Sequence, residues 1–140
     1  VKNGDSHTCG CKTKNRLSNQ EWEGYGEISK SLFSSIKNGA IKRKFEFTIT
    51  IEYIWDLYLK QDKKCALTGQ DIIFVRNSKS KYNSKGTASL DRIDSTKGYI
   101  EGNVQWLHKW INIMKLDHSQ EEFIELCNKV TSYSLKKIQT

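Results

Sequence analysis

Three side chains that could bind a divalent metal ion lie within residues 88–115, ASLDRIDSTKGYIEGNVQWLHKWINIMK. Asp91 offers a carboxylate on a short strand-like run. His108 and Asn112 offer an imidazole and a carboxamide, and Lys115 follows them at the spacing i, i+4 and i+7, which places all three on one helical face. A hairpin followed by a helix would bring these groups together. In a basic protein, such a site predicts chemistry on the phosphodiester backbone.

The surrounding sequence predicts the elements that must position these residues. ASLDRI (88–93) is typical of a strand, residues 94–103 of a turn-rich connection, and residues 107–115 of a helix. Ser119-x-x-Glu122 is a capping box that predicts the start of a final helix. The stripe expected to be buried on that helix comprises Phe123, Ile124, Leu126, Cys127 and Val130. Trp106 and Trp110, which flank the preceding helix start, are expected in the core.

The first half of the chain predicts two further helices. Apolar residues at helical spacing indicate a helix over 26–37 that Gly39 ends, and Thr50 can cap a second helix that continues to about Lys60. RKFEFTI (43–49) and the end of residues 63–74 are each typical of a short strand. The predicted fold class is therefore α+β, a short hairpin and helix surrounded by additional helices.

Bulk properties predict one compact domain with a polyanion partner. The 140 residues carry a net charge of +7, and 36% of them are hydrophobic. The basic excess lies in the first 100 residues, because residues 101–140 hold five Lys/Arg against five Asp/Glu. The sequence contains no run of 18 apolar residues, so no membrane span is predicted. Its four cysteines do not form a secreted disulfide framework. An intracellular setting in the cytoplasm of a host cell is therefore expected. The start at Val1 suggests a longer native protein that has been trimmed.

The phrase SLDRIDS…KGY…GNVQW…N..K resembles the HNH nucleases of the ββα-metal class, especially the small ones of phages and mobile elements. The resemblance implies that Asp91 and Asn112 bind the metal ion, that Asn103 braces the hairpin, and that Lys115 ends the Asn-x-x-Lys signature. It also implies a hard cation, Mg²⁺ or Mn²⁺, which prefers oxygen ligands and retains several waters. The resemblance divides the chain into three parts. Residues 63–140 form the nuclease core, residues 21–62 form a helical region that could contact DNA, and residues 1–20 form an N-terminal arm.

One position departs from this family. The residue after the metal-binding Asp is usually the general-base His, and here it is Arg92, which cannot accept a proton at neutral pH. Arg92 suits a phosphate clamp instead. His108 is the first candidate for the base because it titrates near neutrality, and it could also bind the metal ion. Asp94 is the second candidate and Tyr99 the third.

Zinc ligands of the family are incomplete in this chain. His108 and Cys65 match two of four zinc-knuckle positions, whereas Thr68 and Ile111 occupy the others, so the two residues could instead be scaffold. Cys9 and Cys11 look like half of a zinc-binding turn, and structural zinc needs four ligands. A structural Zn²⁺ at the N-terminus therefore requires a trimmed second half, and free thiols are the alternative.

The resemblance and the basic charge together predict a metal-dependent HNH endonuclease that hydrolyses double-stranded DNA. A non-catalytic DNA-binding module that keeps the same fold is the alternative, favoured by Arg92, and an RNA-directed nuclease is a third possibility. The oligomeric state and the target site stay open. The residues expected to contact DNA are Lys42, Arg43, Lys44, Lys79, Lys81, Lys85 and Lys115.

Overall fold

Four helices and two antiparallel hairpins make up the part of the chain that the computed structural model describes, residues 23–75 and 86–139. The expected α+β class is confirmed. In chain order the elements are β1 (Gly24–Tyr25), β2 (Ile28–Ser29), α1 (Lys30–Lys42), α2 (Ile51–Lys60), β3 (Ala88–Arg92), β4 (Val104–His108), α3 (Lys109–Lys115) and α4 (Gln120–Ile138).

The first helix starts and ends later than the sequence predicts. Residues 24–29 form a small hairpin, and the Ser29 side chain caps α1 by accepting a hydrogen bond of 3.1 Å from the Leu32 N–H. Gly26 turns this hairpin at φ +58°, where a Cβ would collide with the Trp55 ring. The predicted stop at Gly39 is wrong, because the helix continues for another turn to bury Ala40 completely.

The second helix is confirmed, but the short strands predicted on either side of it are not formed. Thr50 caps α2 by accepting from the Tyr53 N–H at 3.2 Å. The strand expected over 43–49 reduces to one bridge between Phe47 and Tyr99, since Lys44 has a left-handed backbone (φ 62°) that breaks the extended run. The strand expected near residue 74 likewise reduces to a single bridge between Lys64 and Asp71.

The segment that carries the candidate site folds as a hairpin followed by a helix. β3 and β4 pair antiparallel over five residues each, with Asp91 opposite Gln105 and Ala88 opposite His108. The strand continues through His108, whose extended backbone caps α3, so this helix begins at Lys109 rather than at residue 107.

Trp106 lies at the centre of a hydrophobic core shared by residues from both halves of the chain. Its side chain is completely buried, and its indole N–H donates to the Ile54 carbonyl at 2.7 Å. The Trp106 ring packs edge-on against Phe74 and Tyr58 at centroid distances of 4.9 and 6.4 Å. Each aliphatic side chain buried around it stabilises the fold by about 1.5–3 kcal/mol. This core anchors β4 against α2 and so fixes the hairpin.

The last helix starts as predicted but does not bury its apolar stripe. The capping box of Ser119 and Glu122 is present. Phe123 is buried and Cys127 is half-buried, whereas the other stripe residues, Ile124, Leu126 and Val130, are exposed. The prediction for this face was wrong because α3 ends after two turns and only the first turn of α4 reaches the core. Trp110 is also exposed rather than in the core. Within the described ranges, no helix is both long and apolar enough to cross a membrane.

Candidate functional site

The edge of β3 that faces away from β4 is covered by α3. In an antiparallel pair, alternate residues direct their N–H and C=O groups away from the partner strand. The carbonyl of Leu90 accepts from the Asn112 amide at 3.4 Å, and the carbonyl of Arg92 accepts from Lys115 Nζ at 3.0 Å. The Asn-x-x-Lys spacing therefore places two side chains on one helical face against the same strand edge.

Asp91 is buried within a polar network. One carboxylate oxygen, Oδ2, accepts from Gln105 Nε2 at 3.0 Å, and both oxygens lie 3.3 Å from Lys115 Nζ. Gln105 also donates to Gln120 Oε1 at 3.0 Å, which ties the start of α4 to the hairpin. Only 5% of Asp91 is exposed, and Lys115 is completely buried. Each of the two buried charges has the other as its counter-ion, so removal of either side chain would leave an uncompensated charge in the interior.

Asn112 lies on α3, about one turn before Lys115. Its amide Nδ2 donates to the Ser89 hydroxyl at 2.7 Å, which fixes the rotamer of the carboxamide. Since the nitrogen is engaged, the amide oxygen is the atom available as an acceptor or metal ligand. Asp91 and Asn112 are the two oxygen ligands that the sequence nominates for the metal ion.

Both residues line a cleft of about 420 Å³ between α1 and the β3–α3 unit. The other wall of the cleft is formed by α1, which contributes Leu32 among others, and by its C-cap residue Arg43. Polar and charged side chains lining the cleft are Ser35, Arg43, Ser89, Asp91, Arg92, Tyr99, Asn112 and Asp117. The cleft thus combines oxygen ligands with two guanidinium groups, a combination suited to a phosphate and a cation.

Arg92 lines this cleft but is largely engaged by the protein. Its Nη1 donates to the carbonyls of Ser95 and Lys97 at 2.6 and 2.9 Å. The guanidinium carbon also lies 3.6 Å from the centre of the Phe45 ring, close enough for a cation–π interaction. Arg92 therefore holds the loop after β3, and its remaining N–H groups are the ones that could meet a phosphate.

Arg43 reaches the same cleft from the end of α1. Its Nη2 donates to the Tyr99 hydroxyl at 2.9 Å and its Nε to the Gly39 carbonyl at 3.0 Å. Of the basic cluster at residues 42–44, Arg43 is the member that lines the cleft, while Lys42 and Lys44 are exposed outside it. This arginine is set apart from the two lysines by its geometry.

Asn103 and Asp94 organise the loop between the strands. Asn103 Oδ1 accepts from the Asp94 N–H at 2.9 Å, and its Nδ2 donates to the carbonyls of Gly98 and Asp94 at 2.9 and 3.1 Å. Hydrogen bonds from the Thr96 hydroxyl and N–H, aided by Lys97, hold the pKa of Asp94 below its ordinary value. Asp94 does not line the cleft. A carboxylate that is less basic than usual and turned towards its own loop is a poor general base.

His108 is not placed with Asp91. It stands on β4 opposite Ala88, about three residues along the hairpin from Asp91, a separation of roughly 10 Å. Its Nδ1 accepts from the Trp110 N–H at 3.3 Å at the start of α3, and His108 does not line the cleft. The structure therefore does not bring His108 to the cleft that Asp91 lines, and its roles as metal ligand or base stay predictions.

Cys65 lies close to the His108 backbone, as the scaffold alternative anticipated. Burial raises the pKa of the Cys65 thiol, but hydrogen bonds from the Thr68 hydroxyl and from backbone N–H groups, including that of His108, outweigh burial and leave the pKa below its ordinary value. Among residues 23–75 and 86–139, no group of three or more His, Cys, Asp or Glu side chains is placed to hold a metal ion.

The remaining predicted residues fall into two groups. Lys115 is not available to DNA in this conformation, because it is buried in the ion pair with Asp91. The second group lies outside the described residues and comprises Cys9, Cys11, Lys79, Lys81 and Lys85.

Several residues of the site were missed by the sequence reasoning. Ser89 stands two residues before Asp91, so the alternation of side chains along a strand places the two on the same face. Gln105 could have been found as the cross-strand partner of Asp91 once the hairpin register was known. Asp117, just after α3, carried no spacing signal that would have linked it to the cleft.

Comparisons with known proteins identify no relative of this chain. No family model, no curated protein and no solved structure matches it.

Proposed function

We propose that this protein is a metal-dependent endonuclease of the HNH, ββα-metal type that hydrolyses phosphodiester bonds in DNA. The observation that supports the proposal most strongly is the shared cleft of Asp91 and Asn112, a carboxylate from the first strand and a carboxamide from the helix of one hairpin–helix unit. The net charge of +7 gives the protein the polyanion affinity that such a substrate requires.

The donor set of the cleft fits a hard divalent cation, Mg²⁺ or Mn²⁺. Such an ion is commonly held by one or two carboxylates together with water and substrate phosphate oxygens, so Asp91 and the Asn112 amide oxygen suffice. Gln105 and Lys115 occupy part of the Asp91 carboxylate, which has about four lone-pair sites in all. When bound, the ion would neutralise charge that develops on the phosphate and stabilise the leaving oxygen.

Arg43 is the side chain best suited to bind the phosphate. It is exposed, it lines the cleft from the side opposite Asp91, and two of its nitrogens are held by Gly39 and Tyr99. A guanidinium fixed in this way can present its free N–H groups without a large loss of rotamer freedom. Arg92 would add positive potential from beside Asp91.

The general base is assigned to Asp117. Arg92 occupies the position after Asp91 and cannot accept a proton, while His108 and Asp94 lie outside the cleft. Asp117 is the carboxylate that lines the cleft besides Asp91 within the described residues. In this role it would accept a proton from the attacking water.

A non-catalytic DNA-binding module is the second candidate. Two observations favour it: an arginine stands in the usual place of the base, and a buried lysine already neutralises the Asp91 carboxylate. A domain of this kind would retain the basic surface and the fold while lacking turnover.

Nicking of supercoiled plasmid distinguishes the two candidates. The enzyme is expected to give relaxed or linear product with Mg²⁺ or Mn²⁺ and none with EDTA, whereas the binding module gives a gel shift and no product. Asn112→Ala, purified in parallel, controls for contaminating nuclease and should lose the activity. Lys42→Ala, an exposed basic residue outside the cleft, is the matched control that should keep it. The same assay on RNA tests the third possibility.

A further inference from the structure

A stripe of exposed apolar side chains follows α4 for nearly its whole length. The helix has 19 residues and is therefore about 28 Å long. Phe123 is the buried residue of this face, and beyond it the exposed fractions rise to 67% at Val130 and 80% at Ile138. The other exposed apolar residues of the helix are Ile124, Leu126, Tyr133 and Leu135. Large apolar side chains exposed along the length of one helix are characteristic of an interaction surface.

We infer that this face pairs with α4 of a second copy of the same chain, in an antiparallel arrangement with its two-fold axis near Val130. The face is defined by helical periodicity, since Phe123, Cys127, Val130, Ser134 and Ile138 follow one another at spacings of three or four residues. An isologous contact of two such helices buries the same stripe on both copies. The inference does not depend on the proposed nuclease activity.

The charges of α4 specify the antiparallel arrangement. The first half of the helix is acidic and the second half is basic. When two copies run antiparallel, each acidic half meets a basic half, whereas a parallel pair would set like charges against each other. The acidic residues are Glu121, Glu122 and Glu125, and the basic ones are Lys129, Lys136 and Lys137.

The segments of this chain that the structure does not describe carry few large apolar side chains that could cover the stripe instead. Residues 1–22 contain three large apolar side chains, Val1, Leu17 and Trp22, and residues 76–85 contain one, Tyr82. A second α4 supplies a face of matching length and composition.

Sedimentation equilibrium of the full chain tests the pairing. Wild-type protein is expected to be a dimer at micromolar concentration. Val130→Asp should raise the dissociation constant at least about tenfold, because the dimer would then bury two unpaired carboxylates. Ser132→Asp adds the same charge half a turn away, on the polar face, and should leave the dimer intact. A wild-type monomer, or equal effects of both variants, would overturn the inference. Val130 is exposed in the monomer, so both variants should keep the wild-type melting temperature when they are monomeric.

Thiol crosslinking tests the orientation. An antiparallel pair centred on Val130 places position 133 of one copy near Cys127 of the other. Mild oxidation of Tyr133→Cys is therefore expected to yield an intermolecular disulfide between positions 127 and 133, identified by peptide mass spectrometry. A product crosslinked at 127–127 and 133–133 indicates a parallel pair and refutes the arrangement. Absence of any crosslink through position 133 also refutes it.

Discussion

The buried pair of Asp91 and Lys115 predicts a stability effect that a surface metal ligand would not have. The sequence alone suggests that Asp91→Ala would remove the metal ligand and leave the fold intact. In the structure the carboxylate is 95% buried and lies 3.3 Å from a completely buried ammonium group. Asp91→Ala would leave that ammonium without a counter-ion, and removal of one partner of a buried pair costs about 3–5 kcal/mol.

The predicted loss is large enough to measure by thermal or urea unfolding. For a chain of this size, each kcal/mol lowers the melting temperature by roughly 3 °C, so Asp91→Ala should melt about 10 °C below wild type in EDTA. Lys115→Met should be destabilised comparably, because Asp91 would then keep only the Gln105 hydrogen bond. The double variant Asp91→Ala, Lys115→Met removes both charges and should be less destabilised than the sum of the two single variants.

A matched control separates burial from ion pairing as such. Lys64→Ala breaks the exposed pair between Lys64 and Asp71, 3.5 Å apart, and should change the unfolding free energy by less than about 1 kcal/mol. If Asp91→Ala were as mild as this control, the ion pair would not be formed in solution and the reasoning would be refuted.

Three further predictions concern the cleft and its loop. Asn112→Ala should lower the rate of metal-dependent plasmid nicking at least about a hundredfold, since it removes a ligand worth several kcal/mol. Loss of its hydrogen bonds to Ser89 and Leu90 should lower the melting temperature by only a few degrees, so the variant stays folded in the assay. An unchanged rate contradicts the metal assignment. Arg43→Ala should weaken duplex binding in EDTA roughly tenfold or more, the loss of one charge-assisted contact, while Lys42→Ala changes it little. Thr96→Val should raise the pKa of Asp94 towards its ordinary value in an NMR titration. Because the pKa of Asp94 is lowered in the folded protein, its contribution to stability is present above the unfolded-state pKa. That contribution is lost as the pH falls through the folded-state pKa.

The hairpin–helix unit was the most predictable part of the fold. Its signals act over a few residues and can therefore be recognised in the sequence: the alternation in residues 88–93 and the turn residues before Asn103. The capping signals at Thr50 and Ser119 are equally local, and both helices they start were predicted. The meeting of Asp91 with Asn112 followed from the same unit.

Residues that depend on distant partners were not predictable in the same way. Lys115 looks like a surface lysine until the structure places Asp91, 24 residues earlier, against it. Arg43 joins the cleft through Tyr99, 56 residues away in sequence, so only the packing of α1 against the hairpin distinguishes it from Lys42.

The start of α3 and the exposure of α4 differ from the sequence prediction for different physical reasons. His108 was expected at the metal site because it shares a helical spacing with Asn112. The strand, however, extends one residue beyond Leu107, and His108 therefore caps α3. The stripe on α4 has the period of a buried helix, and periodicity shows that a face will be covered but not which molecule covers it.

An anomalous difference map from crystals soaked in Mn²⁺ tests the central claim most directly. The account predicts one peak in the cleft, about 2.1 Å from an Asp91 carboxylate oxygen and from the Asn112 amide oxygen. Crystals in which Lys115 remains the sole cation at Asp91, with any manganese peak outside the cleft, would contradict it.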